Sequence, residues 1–149
     1  MRSLGLDVGD RHIGVALSDP GGILATPLSI IERTEESRDI AAILEIVRRY
    51  QVQKIIVGLP LSLDGGIGEQ AIKVQIFVDH LVQHTSVPVE YRDERLTTIS
   101  ARRLMQASRK RKIKQKSPDD SAAAAVILQS YLEEKAGEVD VQNQRGDTE

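Results

Sequence analysis

The chain has 149 residues, 40% of them hydrophobic and 28% charged, with a formal net charge of −2; these are the proportions of one globular domain, not of a disordered or fibrous chain. It has no cysteine, no tryptophan and one phenylalanine, which excludes disulfides, thiol nucleophiles and cysteine zinc sites and leaves an aliphatic core. No apolar run is long enough to span a membrane, and the N-terminus passes into a strand pattern without a signal peptide, so a cytoplasmic location is expected.

Residues 3–9 alternate: Leu4, Leu6 and Val8 on one face, Ser3, Gly5, Asp7 and Gly9 on the other, which is the period of a strand. The second face bears no bulky side chain, so there is open space around Asp7. A lone carboxylate is costly to bury there unless something pairs with it. After a tight turn at 9–11, Ile13, Val15 and Leu17 continue as a partner strand, with Gly14, Ala16 and Ser18 on its small face. DPGG at 19–22 is a turn by composition. ILATPLSII at 23–31 is a third strand, and Pro27 predicts an edge position or an irregularity. Three strands joined by short turns make an antiparallel meander.

Apolar residues at 40, 43, 44 and 47 predict a helix within 36–50. KIIVGLP at 54–60 reads as a strand buried on both faces. The loop LSLDGGIG (61–68) leads to a helix over 69–84. VPVEYRD (87–93) is a further strand, and TTISARRLMQAS (97–108) is a helix capped by Thr97 or Thr98. RKRKIKQK (109–116) has no apolar period. A last helix is predicted over 117–134: Ser117 is placed to cap it, Pro118 suits its first position, and Asp119 and Asp120 favour the positive end of its dipole. The alanines at 122–125 let that helix approach a sheet closely. The chain thus divides into a domain over 1–135 and a polar, acidic tail over 136–149, expected to be disordered. The fold class is α/β: a mixed five-stranded sheet, the antiparallel meander plus parallel strands entering by helical crossovers, flanked by helices.

Two other places supply acids able to meet Asp7: DER at 93–95, ending the last strand, and DD at 119–120, opening the last helix. Three carboxylates converging without a cation repel and raise one another's pKa values, and a divalent cation reverses that logic. Hard oxygen donors with no cysteine select Mg²⁺ or Mn²⁺ over zinc. Each pattern also has a plainer meaning: a loop hydrogen bond for Asp7, a surface salt bridge for DER, a helix cap for DD.

GLDVGDRHIGVALSD, IIVGLPLSLDG, DERLTT and DDSAAAAVILQSYL occur in this order, and each resembles a signature of the YqgF family, whose members are named as candidate pre-16S ribosomal RNA nucleases and were formerly named Holliday junction resolvases. The resemblance covers about Leu4 to Leu132. It implies a ribonuclease H-like fold similar to the resolvase RuvC, and a nuclease that hydrolyses phosphodiester bonds with Mg²⁺ or Mn²⁺ in 5′-end processing of pre-16S ribosomal RNA. The alternatives are a resolvase acting on branched DNA and a nucleic-acid-binding protein without turnover. The catalytic and metal-binding acids it places are Asp7, Glu94 and Asp120, with Asp7 bridging two ions. Glu94 is preferred to Asp93 because it directly precedes the Arg of ERLTT, and alternation puts the two on opposite faces. Asp120 is preferred to Asp119 because it stands just before the alanine-rich run. Arg92 is more charged than that position is expected to be.

The local charge supports a nucleic-acid partner. From Arg92 to Lys116 there are ten basic and two acidic residues, whereas from Glu133 onward there are six acidic and two basic. Arg109, Lys110, Arg111, Lys112, Lys114 and Lys116 form an arm able to clamp a phosphate backbone, and Arg11 and Arg95 are further candidate contacts. No aromatic residues interleave with them, so contacts to shape and backbone are expected rather than base stacking. The glycine-rich loop fits neither the Walker A nor the dinucleotide fingerprint, so no nucleotide cofactor is expected. His80 and His84 read as a solvent-facing pair. Ser18 and Asp19 read as a strand end and turn, with second-line support of the metal face as the sharper alternative. The expected assembly is a monomer or a homodimer.

Overall fold

In the computed structural model, β1 (Ser3–Val8) pairs antiparallel with β2 (His12–Ser18), and β2 pairs antiparallel with β3 (Ala25–Glu32). On its other side β1 lies parallel to β4 (Lys54–Leu59), and β4 lies parallel to β5 (Val89–Asp93). The result is one five-stranded sheet in the order β3-β2-β1-β4-β5, the mixed sheet that the sequence pattern predicts. The structure describes residues 1–96 and 120–146, with side chains for 1–96 and 121–137. The predicted helix over 97–108 and the basic run at 109–116 lie outside the described residues.

Both expectations for Pro27 hold. β3 is an edge strand, and the β2–β3 register shifts between Val15 and Ala16, which face Ser29 and Pro27. Proline has no N–H to give to a ladder, so it sits where a ladder bond is dispensable. The third strand begins at Ala25, two residues later than its apolar pattern suggests. Asp19 Oδ1 accepts the N–H groups of Ile23 at 2.7 Å and Leu24 at 2.8 Å, which keeps both residues in the turn and leaves their side chains exposed.

Helices α1 (Glu36–Arg49) and α2 (Glu69–Val82) cover one face of the sheet. Their Ile40, Ile43, Val74 and Phe77 join Leu4, Leu6, Val8, Ile13 and Val15 in the larger core. Helix α3 (Asp120–Gly146) covers the other face, packing Ala124, Ala125, Leu128 and Tyr131 against Ala16 and Ile56. Its backbone continues to Gly146, across the boundary drawn at residue 135 from the end of the apolar pattern. No proline interrupts 135–146, and one glycine is tolerated in a helix.

α3 runs antiparallel to β1. Tyr131 and Leu132 line the same cavity as Met1 and Ser3, while Ala124 and Leu128 lie on Gly5. One helical turn back from Ala124 is an axial step of about 6 Å, close to the rise of two strand residues. The start of α3 at Asp120 therefore comes to the level of Asp7. Buried Gln129 fixes the helix sideways: its Oε1 accepts the Ala25 N–H at 2.8 Å and its Nε2 donates to Ile23 O at 3.1 Å. No helix among the described residues is long and apolar enough to cross a membrane.

A Cβ at Gly5 would stand 2.8 Å from Leu128 Cβ and 2.9 Å from the Ala124 carbonyl oxygen, and neither a helix backbone nor a Cβ can swing aside. Gly5→Ala is therefore expected to destabilise the fold by about 1–3 kcal/mol. Urea unfolding checks this as a lowered midpoint at unchanged slope; a midpoint equal to wild type would mean that α3 is not held against β1 as described.

Candidate active site

Asp7 lies near the end of β1, half-buried, opposite Gly14 of β2. The parallel register pairs Gly5 with Ile56 and Leu6 with Val57, so its continuation sets Asp7 beside Gly58. Gly58 in turn faces Arg92 of β5. Alternation carries the same face to Glu94, just beyond β5, whose backbone N–H donates to Leu59 O at 3.2 Å. Asp7, Gly58 and Glu94 thus cluster on the α3 side at the ends of three adjacent strands.

The Glu94 side chain lies across Gly58. A Cβ there would meet Glu94 Oε1 at 2.7 Å and Glu94 Cγ at 3.1 Å, and would strike Ile127 Cδ1 as well. Gly58 is a site residue that the sequence reading missed. Its signal was a glycine inside a buried strand, which marks a close approach of another group.

Glu94 reaches Asp7. Its pKa is pushed up from 4.5 to about 7, first by burial, then by the charge of Asp7 and a hydrogen bond to it, and last by Asp93. In its protonated form Glu94 donates to the Asp7 carboxylate. Asp120 heads α3, and its side chain lies outside the described residues. Among the described residues no three acids or histidines gather as a metal cluster.

Asp93 points the other way, as alternation requires, and is held by Arg95. Arg95 Nε donates to Asp93 Oδ1 at 3.0 Å and Nη2 to Oδ2 at 2.7 Å, while the Arg95 backbone N–H donates to Oδ1 at 2.9 Å. These contacts hold the Asp93 carboxyl below its usual range. The guanidinium also reaches the 61–68 loop, donating from Nη1 to Leu63 O at 3.2 Å. Arg11 is exposed in the β1–β2 turn, where its carbonyl accepts the Arg33 N–H. In the same turn Asp10 meets Lys73 of α2 at 3.5 Å.

The unexpectedly basic Arg92 has a structural use: largely covered, it pairs with Glu134 of α3. His80 bonds Glu36 of α1, and His84 Nδ1 lies 2.8 Å from the His80 carbonyl oxygen; both histidines are exposed. Ser18 and Asp19 lie at the far end of the sheet from Asp7, since Ser18 Oγ accepts the Ser3 N–H at 2.8 Å. The turn reading of both is the one the structure supports. The remaining sequence candidates, at 109–116, lie outside the described residues.

The family described as "RuvX: Holliday junction resolvase" matches residues 1–134. A protein of Desulforudis audaxviator (strain MP104C) is 44% identical over 132 residues, 89% of this chain and 94% of its own length. One of Roseiflexus sp. (strain RS-1) is 45% identical over 132 residues, with the same two coverages. Both bear the name "Putative pre-16S rRNA nuclease". Among solved structures, T. thermophilus RuvC in complex with Holliday junction substrate superposes with a TM-score of 0.63 at 16% identity, covering 92% of this chain and 96% of RuvC. The fowlpox virus resolvase bound to Holliday junction DNA gives a TM-score of 0.55 at 16% identity, covering 90% and 98%. At these identities the likeness is one of fold, the ribonuclease H-like arrangement expected from the motifs.

In the absence of divalent cations, Glu94 loses its proton near 4.5 in the unfolded chain and near 7 in the folded one. Within that window the folded state binds more protons, so stability falls as pH rises. Thermal unfolding of metal-free protein is expected to show this decline in wild type and a flatter profile in Glu94→Gln. Parallel profiles would mean that Glu94 is not held against Asp7.

Proposed function

The chain belongs to the RuvX family of Holliday junction resolvases, and from that premise we propose that it is a Mg²⁺- or Mn²⁺-dependent nuclease acting on the precursor of 16S ribosomal RNA. The observation that carries this reading is the convergence of Asp7 and Glu94 over Gly58. Two carboxyl groups brought together with one partly buried is an arrangement that costs stability, and a divalent cation relieves it.

The residues fit such an ion. The donors are hard carboxylate oxygens, and the missing side chain of Gly58 lets Glu94 lie beside Asp7. Asp7, Glu94 and Asp120 would hold it. When bound, the ion supplies Lewis-acid polarisation and charge neutralisation at the scissile phosphate. The chain supplies the rest. Asp7 pairs with Gly14 of β2 and directly follows the last β1–β4 pair, Leu6 with Val57, so its backbone is fixed in place before substrate arrives. Glu94 gives its proton up at near-neutral pH, so the pair becomes fully anionic when a cation compensates it. Ile127 packs on Gly58 beside Glu94 and gives it an apolar neighbour on that side.

Phosphate contacts would come from exposed Arg11 and from the basic run Arg109, Lys110, Arg111, Lys112, Lys114 and Lys116. If four of these neutralise phosphates of a single strand, log K falls with log salt at a slope of about −3. RNA is favoured over branched DNA because the relatives similar along nearly their whole length bear the rRNA nuclease name. Resolution of a junction is the second reading, favoured by the family's description. It requires a stable dimer, since two strands must be cut symmetrically.

Wild type and Asp7→Asn compared on precursor 16S rRNA and on a four-way DNA junction, with Mg²⁺ or Mn²⁺, test the reading. Wild type is expected to cut the RNA, and Asp7→Asn to lose about a thousandfold or more of that activity with an unchanged circular dichroism spectrum. Undiminished cleavage by Asp7→Asn would remove the site. Symmetric junction cutting by a dimer, with the RNA spared, would select the second reading. RNA binding without cleavage by wild type would leave a binding protein.

A further inference from the structure

The contacts around Arg95 suit a different task from the phosphate contact that its charge suggests. Its guanidinium is committed on two sides: Nε and Nη2 to the Asp93 carboxylate, and Nη1 to the Leu63 carbonyl at 3.2 Å. A planar fork of fixed donors suits such two-sided bridging, which a lysine ammonium cannot reproduce. The loop that it reaches is closed on itself. Ser62 N–H donates to Gly66 O at 3.0 Å, Gly65 N–H to Ser62 O at 2.8 Å, and Gly66 N–H to Asp64 Oδ1 at 2.8 Å. Gly65 takes a φ of +86° directly beneath the guanidinium, where an ideal Cβ would stand 3.7 Å from Nη1 and Nη2. The loop is thus a preformed unit with almost all of its side chains exposed, and it is bound by a side chain to the segment that bears Glu94.

We propose that Asp93 and Arg95 form a latch that positions the 61–68 loop at the rim of the carboxylate site, and that Arg95 is a positioning residue and not a phosphate contact. Three connections converge on that rim. Glu94 is held by its backbone bond to Leu59 O, the loop leaves β4 two residues later, and Arg95 ties the two together. Asp93 thus has a use distinct from that of Glu94: it lies on the opposite face, is not placed to meet Asp7, and orients the arginine that holds the loop. The kinetic arm of the test rests on the nuclease reading; the exchange and binding arms do not.

Amide hydrogen exchange, salt-dependent binding of a single-stranded RNA followed by fluorescence anisotropy, and cleavage kinetics on precursor 16S rRNA are to be measured on wild type, Asp93→Asn, Arg95→Ala and Arg95→Lys. The expected result is exchange in 61–68 faster by about tenfold or more in all three variants, the scale of losing a charge-assisted hydrogen bond. Protection in β1 and β4 should be retained, which controls for folding. The slope of log K against log salt should stay at the wild-type value. Cleavage should fall in kcat at unchanged KM, and the double variant Asp93→Asn/Arg95→Ala should lose no more than either single variant. Unchanged exchange in the loop would overturn the latch. So would a slope shallower by about 0.7 in Arg95→Ala and unchanged in Asp93→Asn, the signature of one lost phosphate contact on a single strand, or a raised KM confined to Arg95. If wild type cuts nothing, the nuclease reading fails, while loop exchange still decides the latch.

Discussion

The close approach of α3 to the middle of the sheet is the constraint from which the site follows. A helix can lie that near to β1 only where the strand presents no side chain, and Gly5 presents none: Leu128 Cβ and the Ala124 carbonyl occupy the place of its Cβ. The same bare face, two residues further along, carries Asp7. The helix that closes the core therefore brings its N-terminal end to the level of the acid, and the antiparallel run of helix and strand determines which end arrives there. Alanines at 122, 124 and 125 serve this contact, since a bulkier residue would hold the helix away.

Within that frame the electrostatics run against stability. Glu94 is partly buried beside another carboxylate, and its proton is retained to about 7 as a consequence. A chain selected only to fold would not place two acids there. The strain is borne by rigid surroundings: Asp7 is within β1, Glu94 is fixed to Leu59 O, and Gly58 yields the space that the Glu94 side chain takes. Sites built on strand ends hold their geometry better than sites on loops.

Charge pairs elsewhere on this face hold elements together. Arg92 joins β5 to α3 through Glu134, and Lys54 joins β4 to β5 through Glu90 at 2.7 Å while its Nζ lies over the Tyr131 ring of α3 at 5.1 Å. Such partly covered pairs add little net stability, since desolvation offsets much of their attraction. Their effect is registry: they set β5 against α3, and Glu94 stands two residues beyond Arg92.

The sequence by itself determined the alternation of β1 and β2, the antiparallel meander, the edge position of β3, the helices over 36–50 and 69–84, and the opposite facing of Asp93 and Glu94. All of these follow from periods of two or 3.6 and from local turn chemistry, which act within a few residues. The motifs also singled out Asp7 and Glu94. Only the tertiary structure decided that these two acids touch, that Gly58 makes room for them, that Arg92 belongs to a β5–α3 pair and Arg95 to a loop contact, and that Ser18 and Asp19 lie at the far end of the sheet. Those facts depend on strand order and register between segments tens of residues apart, and on side-chain partners that no local pattern encodes. The extension of α3 to Gly146 falls between the two cases: its apolar stripe ends near Leu132, and the residues beyond have helix-compatible chemistry without the period that would announce it.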